Sequence, residues 1–165
     1  MNMKKTIAIL LVMAVVMTGV FADNVTELTL KSTVDASELE YGLFNGEGEA
    51  KVLYDNLNLT DPNKNKSVTI KVKAVNGKVG AAEKDIDINV TCSDGFVNQT
   101  DFSKTPLTVD VPDTVATTAV PPLTVISSPD EYFDVAEFVL SWVPDPNLAA
   151  GDYVADVVIS YTATV

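Results

Sequence analysis

The chain has 165 residues, 11 of them basic and 23 acidic, with a formal net charge of −12, no histidine and one cysteine. That acidity argues against nucleic acid, whose phosphates call for basic patches, and against an anionic membrane surface. Without His and with a single Cys, Ser-His-Asp, thiol and zinc-cluster chemistry lose their residues, and a carboxylate pair for glycoside hydrolysis arises by chance in so acidic a chain, so neither enzymatic activity nor a cofactor is expected.

The first residues place Lys4 and Lys5 before an apolar run from Ile7 to Met17, followed by the small-residue ending Val20-Phe21-Ala22. A membrane span needs about 20 apolar residues; this run has the length and flanks of a secretory leader cleaved after Ala22. Residues 1–22 therefore read as a signal peptide and 23–165 as one exported domain, secreted or held at a bacterial surface by way of the periplasm, with no stable membrane insertion once the leader is gone. Two lysines leave with the leader, so the mature chain is more acidic still.

From Thr26 onward the apolar residues recur at every second position, the period of a strand with one buried face. Leu28, Leu30, Ser32 and Val34 share one side against Thr29, Lys31 and Thr33. "LEYGLF" alternates through Leu39, Tyr41 and Leu43, and "EAKVLY" through Ala50, Val52 and Tyr54. "SVTIKVKAV" sets Val68, Ile70, Val72 and Ala74 inward, and "KDIDINVTC" does so with Ile86, Ile88, Val90 and Cys92. Further strands are expected at "PLTVDV", "LTVIS" and "AEFVLSW", the last with Phe138, Leu140 and Trp142 in phase, and a long strand runs from Tyr153 to Val165. Turn chemistry separates them at Asn45-Gly46, Asp61-Pro62-Asn63, Asn76-Gly77, Ser93-Asp94-Gly95 and Ala150-Gly151-Asp152. "PDTVATTAVPP", Pro112 to Pro122, reads as an extended crossing or edge piece, because proline lacks the ladder donor.

About nine short strands with a turn roughly every ten residues predict an all-β sandwich or barrel, and the uneven strand lengths and long proline-containing connections favour a sandwich. Cys92 continues an apolar phase and reads as a small buried hydrophobe rather than a reactive thiol or an intermolecular bridge. Asp61, Asn63 and Asn65 begin like a calcium loop, but Lys66 replaces its glycine and Val72 its bidentate glutamate. Asp130, Glu131 and Asp134 form a second acidic cluster, read as a solvated loop. Asn24, Asn58, Asn65, Asn89 and Asn98 head Asn-X-Ser/Thr triplets that arise from composition. Trp142, two residues after Leu140, is expected in the core rather than on a sugar-stacking platform.

Two stretches carry a resemblance. "NVTELTLKSTVDAS" resembles the start of mature fimbrial major subunits of the alternate-chaperone class: Leu28, Leu30, Val34 and Asp35 carry the match. "AAGDYVADVVISYTATV" resembles the final strand of the same subunits and of spore-coat-U-like secreted domains, through Gly151, Tyr153, Val157, Ile159 and Tyr161. The resemblance implies that the fold is an immunoglobulin-like antiparallel β-sandwich, incomplete by one strand, in which the N-terminal strand of one subunit, within residues 23–35, completes the next by β-strand addition. Leu28, Leu30, Ser32 and Val34 would then be the donor face, and Tyr153, Val157, Ile159 and Tyr161 the acceptor groove. It implies self-association into a surface fibre or matrix and service by a periplasmic chaperone. The alternative is a self-complete exported sandwich that binds a glycan or a surface protein.

Overall fold

The computed structural model describes residues 26–34, 39–64, 66–76, 82–122 and 132–164. The leader, the strand expected at "LTVIS", and Asp130 and Glu131 lie outside the described residues, as do Asn24, Asn65 and Asp35.

Among the described residues nine strands build two sheets: β1 (Thr26–Val34), β2 (Leu39–Asn45), β3 (Leu53–Tyr54), β4 (Ser67–Asn76), β5 (Asp85–Thr91), β6 (Val97–Asn98), β7 (Val109–Asp110), β8 (Phe133–Trp142) and β9 (Tyr153–Thr164). One sheet runs β3-β1-β9-β5, with β6 also on β9; the other runs β2-β4-β8-β7. The fold is an all-β sandwich, and every described strand pair is antiparallel except one, β1 with β9.

The alternation read from the sequence is the alternation of burial. On β4, Ile70, Val72 and Ala74 are fully buried; on β5, Ile86, Ile88 and Val90 are buried between exposed Asp85, Asp87 and Asn89. On β9 the odd residues from Tyr153 to Tyr161 are all buried. Each large aliphatic side chain removed from water in this way contributes about 1.5–3 kcal/mol, so two facing sheets of such strands need no helix and no disulfide. Trp142 lies in the core, edge-on to Phe96 with ring centroids 5.4 Å apart, and its indole Nε1 donates to the Asn58 carbonyl at 2.8 Å.

Two expectations are corrected. "EAKVLY" keeps no single face: Val52 and Leu53 are exposed and β3 has only two residues. The reason is a change of sheet, because Ala50 bridges Phe44 of β2 while Val52 already accepts from Leu30 of β1. "PLTVDV" shrinks for the same reason to a bridge at Leu107 and the short β7. On β8 the phase breaks at Val135, which is buried out of step with Phe138, Leu140 and Trp142; the pairing with β4 slips there, Val72 facing Ala136 and Lys73 facing Asp134. Val135 is the extra residue of a β-bulge, and its carbonyl accepts from Thr118 N at 2.8 Å.

That bond belongs to the Pro112–Pro122 segment, which closes one side of the sandwich. Thr117 Oγ1 donates to the Ile86 carbonyl at 2.6 Å and Val120 bridges Lys84, so the segment ties the β5 edge of one sheet to β8 of the other. Val115 and Val120 are buried beneath it.

Candidate assembly site: the seam between β1 and β9

β1 occupies an interior slot. On one side it pairs in parallel with β9 along its whole length, from Thr26 opposite Tyr153 to Val34 opposite Tyr161. On the other it pairs antiparallel with β3, Leu28 opposite Tyr54 and Thr29 opposite Leu53. Leu28 sits at 0% exposure and Leu30 at 5%, so the apolar face of this strand is part of the core.

The residues expected as donor and acceptor therefore meet within one chain. Leu28 lies opposite Ala155, Leu30 opposite Val157, Ser32 opposite Ile159 and Val34 opposite Tyr161. Val157 and Ile159 are fully buried. Ser32 departs from the expected pattern: it is in phase with the leucines yet exposed.

Two anchors hold the groove side. At one end Tyr153 donates its hydroxyl to the Ala149 carbonyl at 2.8 Å and accepts from Asn98 Nδ2 at 3.1 Å. Asn98, 1% exposed, also accepts the backbone N–H groups of Thr100 and Asp101 on its Oδ1. Gly151 passes against it with φ 150°, and a Cβ there would come within 2.7 Å of Asn98 Nδ2. Asn98 is thus a buried structural amide, although its triplet looks like a glycosylation acceptor. The clue open to sequence reasoning was the Asn-X-Thr spacing itself, which is also that of an Asx turn; Asn58 forms another, accepting from Thr60 and Asp61.

At the other end Tyr161 stacks on Tyr41 of β2 across the sandwich, ring centroids 4.3 Å apart and planes inclined by 16°. The Tyr161 hydroxyl is buried and finds no hydrogen-bond partner among the described residues. Burial, and secondarily the neighbouring Tyr41 phenol, push its pKa well above the ordinary 10.0.

The outer face of the seam is polar. Lys31 of β1 and Asp156 of β9 form an exposed ion pair, a contact of at most about 1 kcal/mol in water. Cys92, just past β5, is half-buried, and burial raises its thiol above the ordinary value despite hydrogen bonds from the Gly95 and Asp94 backbones. Among the described residues no three His, Cys, Asp or Glu side chains converge on a metal position, and Asp61 spends a carboxylate oxygen on the Asn63 backbone N–H. No helix among them is long and apolar enough to cross a membrane.

Comparison of the chain with protein-family models, curated proteins and solved structures finds no match.

Proposed function

We propose that the chain is an exported structural subunit of a bacterial surface fibre or matrix, whose copies join by β-strand addition at the slot between β3 and β9. The observation that supports this reading is the slot itself. The first described strand lies inside a sheet rather than at its edge, and no later described strand enters that position, so a copy whose β1 has left presents a groove floored by the apolar core and walled by β3 and β9 backbone. Any extended segment with the Leu28, Leu30 pattern fits that groove, and β1 of a second copy has that pattern by identity. The β1 of its own chain is then the resting occupant, and exchange between copies conserves every contact. A periplasmic chaperone would cover the groove before assembly.

A second reading, the self-complete binding module, is favoured by one feature: β1 already fills its slot, and the loops beside its Thr26 end frame two grooves of about 540 and 560 Å³ that share Asn56, Leu57, Asn58 and Lys64. Sizing the mature chain across a concentration series separates the two. Strand addition gives ladders that grow with concentration, while a chain lacking residues 23–34, refolded with a labelled peptide of that sequence, holds the peptide and forms no ladder. A full chain that stays monomeric at every concentration, with the shortened chain unable to keep the peptide, overturns the assembly reading and turns attention to the loop grooves.

A further inference from the structure

β1 is held unevenly. Its first half is gripped on both sides, by β9 and by the 52–54 segment, where Leu30 N donates to the Val52 carbonyl at 2.8 Å. In that antiparallel register the residue due opposite Ser32 is Ala50, and Ala50 is instead bridged to Phe44 in the other sheet. The Lys51 N–H likewise goes to the Leu43 carbonyl of β2. Successive residues of a strand aim their backbone groups to opposite sides, so Ser32 and Val34 aim theirs where Leu30 does, and among the described residues no strand continues there. Lys31 and Ser32 are exposed, in contrast to buried Leu28 and Leu30.

We propose that this half, Lys31–Val34, is the entry point at which the β1 of a second copy begins to displace the resident strand. The inference rests on the strand-addition reading and adds to it a direction. A segment paired on one side, with Lys31 and Ser32 exposed, opens at lower free energy than one paired on both sides with buried leucines. Its opening uncovers the β9 backbone from Val158 to Tyr161 while Leu28 and Leu30 still hold the sandwich closed. The incoming strand can pair there first and advance toward Thr26, so no step requires the whole groove to stand empty. The partner is fixed by chemistry: an extended segment that offers backbone pairing to Val158–Tyr161 and, further on, two leucines at alternate positions for the buried half of the slot.

Residue-resolved hydrogen exchange on the intact mature chain tests the local opening. Glu27, Thr29, Lys31 and Thr33 all aim their amides at β9, so one-sided pairing alone does not separate them. Lys31 and Thr33 are expected to exchange at least about tenfold faster than Glu27 and Thr29; equal protection overturns the entry point. Capture of labelled peptides by the same chain tests the direction. A peptide of residues 26–34 is expected to be taken up at least about tenfold faster than one of residues 26–30, which keeps both leucines but lacks the entry half, and Ser32→Val in the chain, which strengthens that half, is expected to slow uptake. Equal uptake rates overturn the direction and leave strand addition standing. Uptake of neither peptide overturns strand addition itself, and the entry point with it.

Discussion

Tyr161 carries a phenol into a core that offers its hydroxyl no described partner, so the fold tolerates the neutral form only. The unfolded chain releases that proton near the ordinary value of 10.0, the folded chain well above it. The unfolded state therefore binds fewer protons above that pH, and stability, fully present below it, declines as pH rises. Thermal unfolding of residues 23–165 should show a Tm that falls above about pH 10, and Tyr161→Phe should flatten the fall without lowering Tm at pH 7, since it removes an unsatisfied hydroxyl and keeps the stack. Some slope will remain, because burial raises Tyr54 and Cys92 as well. Gly151 is the second sensitive residue. Gly151→Ala forces an L side chain to a positive φ and drives its Cβ into the Asn98 amide, a cost of about 1–3 kcal/mol from the backbone alone, readable as a lower denaturation midpoint with an unchanged slope.

At the scale of the element, β1 separates its two faces sharply. Truncating a buried leucine costs about 2–5 kcal/mol, and Leu30→Asp adds an unpaired charge in the same place, so this variant should lose both the cooperative unfolding transition and any assembly. Thr29 faces the other way and its register partner on β9 is Asp156; Thr29→Lys is therefore the matched control, expected to change stability by less than about 1 kcal/mol. Circular dichroism melts and sizing of both variants check the pair. Strands of this kind are legible in the amino-acid order itself, because β4, β5 and β9 run for seven or more residues and period two survives along them, as it does over the first half of β1. The segments that change sheets are not. Ala50 to Tyr54 alternates on paper, yet serves β2 and then β1, and no residue marks the crossing. The bulge at Val135 and the short β6 are hidden likewise, since one extra residue shifts the phase without altering composition.

At the scale of the whole molecule, the alternating pattern is enough to announce a sandwich, since strands with one apolar face must cover it with another sheet. It is silent on neighbours. Nothing in a period of two says that β1 lies beside β9, or that the pair is parallel, because side-chain alternation is the same in either direction. The apolar faces of β1 and β9 are legible by their pattern; that they lie side by side within one chain is a property of topology. The charge carries less of the fold than its size suggests: Lys71 with Glu137 and Lys73 with Asp134 pair across β4 and β8 at the surface, and most of the other described acids are exposed.

The placing of β1 beside β9 also sets a clock. Lys31 and Asp156 are 125 residues apart along the chain, so β1 has to wait for a strand made that much later before it has a neighbour on that side. Contacts of such separation close slowly, because the long loop must be ordered before the pairing rewards it. During that interval Leu28 and Leu30 lack the strand that completes their sheet, and an alternating apolar segment without its partner is open to pairing with whatever other chain it meets.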